Sequence, residues 1–331
     1  MMDRCTHALA LAALLCTLGV ARAENIAVGN YGSSANGMPF AVALYKGFFK
    51  EEGADVTGII ASQGGGTSVR NAMAGVAYGE ANPGAIAVAI QQGADIRIVS
   101  DNVLTIAEFA WMVKKDSPIK TIKDLKGKRI GVTQVGSTFH YHIGHILEKE
   151  GLTLADVRIV PLQAMAATME ALKGKQVDAI LVPQPFPGAA ESQGFGHIMA
   201  WAGDLYPWQI AAVFYSDKLA RDRARAVAFM KGYVKASRYY HDAALVQKDG
   251  WPAHGPAYDE VVGITAKYTG ARPEIIKLGF PFQDRNGRLL VPDIERQIGW
   301  WVANGFMKKP LPVRAVVDTS FVEEAVRGLE K

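Results

Sequence analysis

The chain predicts an α/β molecule of two lobes, each a mostly parallel sheet flanked by helices, with a ligand cleft between them. Three observations carry this. Short β-rich runs alternate with helical stretches through residues 26–182, the pattern of parallel sheets covered by helices. The alternation falls into two units of similar size, separated by an extended run at 108–114 that passes from apolar (Phe109, Ala110, Trp111, Met112, Val113) to charged (Lys114, Lys115, Asp116) before Ser117-Pro118 breaks it. A second extended run at 210–215 leads into long amphipathic helices, so the chain crosses twice between lobes.

In order, residues 26–31 read as strand, 40–52 as helix, 56–61 as strand and 68–75 as helix. A short strand ends at Asn82, 85–92 is a helix stopped by Gly93, and 96–100 is a strand. Past the crossover come a helix at 122–125, a strand at 129–133, a helix at 138–150, a strand at 157–161, a helix at 164–172 and a strand at 179–182. Helices follow at 221–247, 257–269 and 293–304. Val227, Met230, Val234 and Ser237 keep helical spacing on one face of the first. The division is therefore 24–112 for lobe 1, 113–205 for lobe 2, and 206–331 for a return to lobe 1 with C-terminal helices. Hinges are expected near 112–115 and 206–208.

Residues 1–23 read as an export signal. Arg4 lies in a short polar lead, the apolar run at 8–20 is too short to span a bilayer, and Ala21-Arg22-Ala23 supplies the small residues of a cleavage site, placing the product in the periplasm after a cut at Ala23. A lipid anchor at Cys16 would need a small residue before it, where the chain has Leu15. Cys5 and Cys16 both lie in this stretch, so the mature chain carries no thiol and no disulfide. Its length is enough to bury a core without such staples. The formal net charge of +4 falls by one when Asp3, Arg4 and Arg22 leave with the signal. That charge is too mild and too evenly spread for nucleic acid.

The stretch "GKRIGVTQVGSTFHYH" (127–142) resembles a phosphate loop in its spacing of Gly131 and Gly136, but Ser137 stands where such a loop needs lysine. What is left is a helix N-terminus at Gly136, Ser137 and Thr138, a cup of N–H groups and hydroxyls suited to a carboxylate, sulfonate or nitrate. His140 points away from the faces of His142 and His145, and no carboxylate or cysteine stands nearby at ligand spacing until Glu148, so no metal site is read.

Other candidates follow strand ends. Tyr31, Ser33 and Ser34 follow the first strand. Gly65, Gly66 and Thr67 follow the second, the glycines allowing close backbone approach and Thr67 capping a helix while facing the cleft. Asn82 offers an amide, or simply caps the helix that Pro83 begins. Gln163 and Gln184 follow strands of the second lobe and could meet a ligand or satisfy their own loops. Trp208 either floors the cleft from the return crossover or fills a core. A serine hydrolase elbow fails, because Gly32-Ser33-Ser34-Ala35-Asn36 lacks its last glycine.

Several segments resemble a known family: "SPIKTIKDLKGKRIGV" (117–132), "GSTFHYHIGHILEKEGLTLADVRIVPL" (136–162), "ALKGKQVDAILVPQPF" (171–186) and "VDTSFVEEA" (317–325) look like the periplasmic solute-binding proteins of nitrate, sulfonate and taurine ABC importers. Those share a family with binding proteins for thiamine-precursor pyrimidines. The resemblance implies a type II periplasmic binding protein, monomeric, without catalytic residues or cofactor. It would close on a small anionic or polar solute (sulfonate, nitrate, taurine or aromatic carboxylate) and deliver it to an ABC permease with its ATPase subunit. A pyrimidine-binding protein, or an enzyme on the same fold, is the alternative. The chain departs from the common pattern at Tyr78-Gly79-Glu80-Ala81-Asn82, where many relatives carry an Asp.

Overall fold

The computed structural model describes residues 24–29, 31, 36–104, 109–183, 186–202, 208–248 and 251–330. The export signal, Ser33, Ser34, Gln184 and part of the second crossover (Tyr206 and Pro207) lie outside them. Chain order begins β1 (Glu24–Gly29), α1 (Met38–Lys46), α2 (Phe48–Glu51), β2 (Val56–Ser62), α3 (Gly65–Met73), β3 (Tyr78–Ala81), α4 (Pro83–Gln91) and β4 (Ile96–Val103). It continues with β5 (Phe109–Lys114), β6 (Arg129–Val132), α5 (Thr138–Lys149), β7 (Arg158–Pro161), α6 (Met165–Lys173), β8 (Ala179–Pro183), α7 (Phe186–Ser192) and β9 (Gly196–Trp201). The return comprises β10 (Ala211–Ser216), α8 (Asp217–Arg221), α9 (Arg223–Ala244), the hairpin of β11 (Val246–Lys248) and β12 (Trp251–Ala253), α10 (Tyr258–Thr269), α11 (Pro273–Ile276), α12 (Val291–Ala303) and α13 (Ser320–Leu329).

The two sheets share one plan. Strand order is β2-β1-β3-β10-β4 in the first and β7-β6-β8-β5-β9 in the second. β1 runs parallel to β2 and β3, and β6 runs parallel to β7 and β8. Each sheet takes one antiparallel strand in its fourth place, and it is the strand by which the chain arrives from the other lobe: β5 between β8 and β9, β10 between β3 and β4. The apolar run from Phe109 to Val113 is buried throughout because it is a central strand covered on both faces. The change of lobe therefore precedes Phe109. The expected boundary at 112/113 and residues 112–114 of the expected hinge fall inside β5, whose pairing with β8 and β9 fixes it in the second sheet.

Helix ends follow local chemistry. The helix expected over 40–52 divides at Gly47, whose φ of 78° closes α1. The one expected over 221–247 divides at Asp222, whose carboxylate accepts from the Arg225 N–H and starts α9. α1 and α9 cover one face of the first sheet, where Tyr78 stacks on Phe229 at 4.1 Å. α4 and α12 cover the other, with Ile86, Phe214, Ile294 and Trp301 in its core. α12 also reaches the second lobe: Trp301 stacks on Tyr141 of α5 at 5.3 Å.

Gln209, fully buried in the return crossover, joins these parts. Its amide donates to Asp101 Oδ1 at 2.7 Å and to the Ala211 carbonyl at 2.8 Å, and its own N–H donates to Asp293 Oδ2 at 2.8 Å. The Leu290 N–H donates to Gln209 Oε1, and Gln297 donates to the Gln209 carbonyl. A buried network satisfied to this degree holds the crossover against β4 and α12 and gives any lobe rotation a fixed base.

Candidate functional site

The carboxyl ends of the parallel strands of both sheets face one cleft of about 740 Å³, open to solvent. The first lobe supplies Gly29 from the end of β1, Asn36, Gln63 to Gly65 ahead of α3, Glu80 of β3 and Asn82 after it. The second supplies Thr133, Gln134, Ser137, Thr138 and Gln163, together with an apolar wall of Phe109, Phe139, Met165, Pro183 and Phe186 that Ile210 extends. Phe109 and Phe139 stack with ring centroids 5.5 Å apart. Among these described lining residues there is no lysine, arginine or histidine. A second hollow of about 970 Å³ adjoins the cleft, sharing Asn82, Gln134 and Ser137 and adding Gly66, Arg70 and Gly136.

Gly65, Asn82, Ser137, Thr138 and Gln163 thus line the cleft, while Gly66 and Gly136 line the adjoining hollow. Ser137 is the N-cap of α5: its Oγ accepts from the His140 N–H at 3.3 Å, which leaves its own proton to donate. Thr138 is buried and gives its hydroxyl to the Ile210 carbonyl at a long 3.5 Å. Asn82 caps α4 through the Ala85 N–H at 2.8 Å, so it serves as cap and as lining together. Gly65 is needed by Asn82: a Cβ there would come within 2.7 Å of the Asn82 amide nitrogen. Gln163 sits at φ 67°, a left-handed conformation rare outside glycine, held by its N–H bond to the Thr133 carbonyl at 2.7 Å.

Three expected site residues lie elsewhere. Tyr31 is buried in the core of the first lobe, beside α1. Thr67 does not cap α3, whose N-cap is Gly64; its Oγ1 instead accepts from Arg70 at 2.8 Å, outside the cleft lining. Trp208 is fully buried against His142 with ring centroids 3.7 Å apart, so the core reading holds for it.

His140, His142 and His145 of α5 are not among the described residues lining the cleft or the adjoining hollow. His140 Nδ1 accepts from the Gly136 N–H at 2.9 Å, within an aromatic cage of Trp300 and Phe306, and burial lowers its pKa to about 4. It is a neutral brace for the loop ahead of α5. The Gly136 carbonyl accepts from Trp301 Nε1 at 3.1 Å, which fixes the same loop from α12. His142 is fully buried, and burial pushes its pKa well down.

Glu80 is the main lining residue that sequence reasoning passed over. Only 2% exposed, it accepts from the Gly29 N–H at 2.7 Å, and burial raises its pKa to about 8. Its signal in the sequence was a carboxylate inside a four-residue strand that the alternating pattern requires to be buried.

Residues 34–197 match the family described as NMT1/THI5 like. A putative aliphatic sulfonates-binding protein of Escherichia coli (strain K12) is 32% identical over 113 residues, 32% of this chain and 34% of that protein, so the match spans about a third of the relative. The periplasmic aliphatic sulphonate binding protein of Escherichia coli superposes with a TM-score of 0.71 at 17% identity, covering 89% of this chain and 91% of that one. The periplasmic nitrate-binding protein of Synechocystis PCC 6803 gives 0.71 at 16% identity over 93% and 89%. A desulfurization enzyme has the same fold, with a TM-score of 0.62 at 17% identity over 92% and 99%. Residues 34–197 of the chain are thus NMT1/THI5-like, carried on the two-lobed fold of the periplasmic binding proteins.

Proposed function

We propose that this chain is the extracytoplasmic binding component of an ABC import system, exported by a signal cleaved after Ala23, and that it captures a small organic anion of the sulfonate or aromatic carboxylate type. It then hands the solute to a membrane permease worked by an ATPase subunit. The observation that carries this reading is the cleft itself. Strand-end loops of two lobes meet there, the N-terminus of α5 opens into it at Ser137, and an apolar wall faces neutral amides and hydroxyls. The helix end and hydroxyls suit an anionic head, and Phe109, Phe139 and Phe186 suit an apolar body. An organic anion therefore fits better than nitrate. Affinity comes from dipoles and neutral donors, since no cation is among the described residues lining the cleft and Arg70, which lines the adjoining hollow, is engaged with Thr67.

The desulfurization enzyme keeps an enzymatic reading in view, because it shares the fold. Against it, residues 24–331 contain no cysteine to serve as a nucleophile. Native mass spectrometry of purified protein, followed by calorimetric titration with benzenesulfonate, methanesulfonate, taurine, benzoate and nitrate, tests the proposal. Benzenesulfonate is expected to bind more tightly than nitrate. Turnover of an ester or phosphate substrate would replace the binding reading with the enzymatic one.

A further inference from the structure

Glu80 is the one ionisable side chain among the described residues lining the cleft, and its surroundings do not suit a charge. Its neighbours across the sheet are Val28 of β1 and Val213 of β10. Its Oε2 is held by the Gly29 N–H. A Cβ on Gly29 would stand 3.2 Å from that oxygen and from the Gly64–Gly65 peptide, so the glycine is what lets β1, β3 and the start of α3 close around the carboxyl. The titratable group facing it from α9 is Tyr233, while Tyr78 lies two residues before it on β3. The Tyr233 hydroxyl donates to the Asp101 carbonyl at 2.7 Å, and Tyr78 stacks on Phe229. No cation stands among the lining residues to balance a carboxylate, and burial keeps the proton on.

A neutral carboxyl supplies an O–H donor in a cleft otherwise furnished with amides, hydroxyls and a helix N-terminus. An ionised one would repel an anion held beside it, all the more so away from bulk water. We propose that Glu80 is a specificity-determining residue that offers its protonated carboxyl to the anionic head of the ligand, so that capture of an organic anion requires this proton. The inference rests on the anion-capture reading above.

The test is calorimetric titration of the full mature chain with benzenesulfonate from pH 6.5 to 9.5, on wild type and on Glu80→Gln. With a carboxyl that titrates near 8, wild-type affinity is expected to fall about thirtyfold between pH 7 and pH 9.5. Glu80→Gln is expected to lose that slope and to bind more tightly than wild type at pH 9.5. Wild-type binding that is flat across the range, or a preference for benzylammonium over benzenesulfonate, overturns the role given to Glu80 and leaves solute capture standing. Failure of benzenesulfonate, methanesulfonate and benzoate to bind at any pH overturns anion capture, and this proposal with it.

Discussion

Replacing Glu80 by Gln should stabilise the ligand-free protein, by an amount that depends on pH in a way the structure dictates. The folded chain holds this carboxyl's pKa at about 8 against an ordinary value of 4.5. Below about pH 4.5 both folded and unfolded chains carry the proton, and above about pH 8 neither does, so stability is insensitive to this group at both ends. Between those limits the unfolded chain has lost the proton that the folded chain keeps. Stability therefore falls as pH rises through this window. At pH 7 the 2.5-unit gap from the ordinary value corresponds to a cost of about 3 kcal/mol as an upper bound. Gln has no charge to desolvate and keeps an oxygen for the Gly29 N–H. Urea denaturation of both proteins at pH 4.5, 6, 7 and 8 reads the difference, in which every other titrating group cancels. The variant's advantage should be near zero at pH 4.5 and grow to about 3 kcal/mol at pH 7. A variant that is less stable at pH 7, or an advantage constant with pH, would refute the reasoning by showing that Glu80 folds as a compensated carboxylate.

Three further outcomes are expected. Ser137→Ala removes the α5 cap and a donor to the ligand. Stability to urea should drop by about 1 kcal/mol and benzenesulfonate affinity by roughly tenfold or more, and unchanged affinity in calorimetry would place the anion elsewhere. His142→Leu replaces a buried imidazole whose two ring nitrogens have no hydrogen-bond partner among the described residues, for an expected gain of about 1–3 kcal/mol at pH 7. Because the folded pKa is depressed, the unfolded chain protonates first as pH falls below about 6.5, so this gain should widen on acidification; denaturation at pH 5 that shows no widening contradicts it. Closure of two lobes on a bridging solute should shrink the radius of gyration in small-angle scattering and raise the melting temperature with ligand concentration, and tight binding at unchanged dimensions would point to a single-lobe receptor.

What the sequence makes legible is what lies close together along the chain. The alternation of runs places most strands of both sheets, though not β9 or the helices α7 and α13, and the Gly136 to Thr138 turn announces a capped helix at a strand end, because cap, dipole and spacing are all local. What it hides depends on which distant elements meet. Phe109 to Val113 reads as a linker when only its charged tail and the following proline are weighed, yet its pairing with β8 and β9 makes it a central strand. The Thr67 hydroxyl reads as a cap, but Arg70 takes it, and Trp208 reads as cleft floor or, more commonly for a tryptophan, as core until His142 is found against its ring. Glu80 is the extreme case. Its partner at Gly29 is 51 residues away, and the absence of a cation among the described lining residues depends on strand ends and helices of both lobes, none of which carries that information alone. Folding puts this carboxyl where water cannot stabilise its charge, at a cost to stability, and so gives the cleft an acid that still holds its proton near neutral pH. A group that is expensive to the fold and faces the solute is where sequence rules for a stable core should fail, and where function is to be sought first.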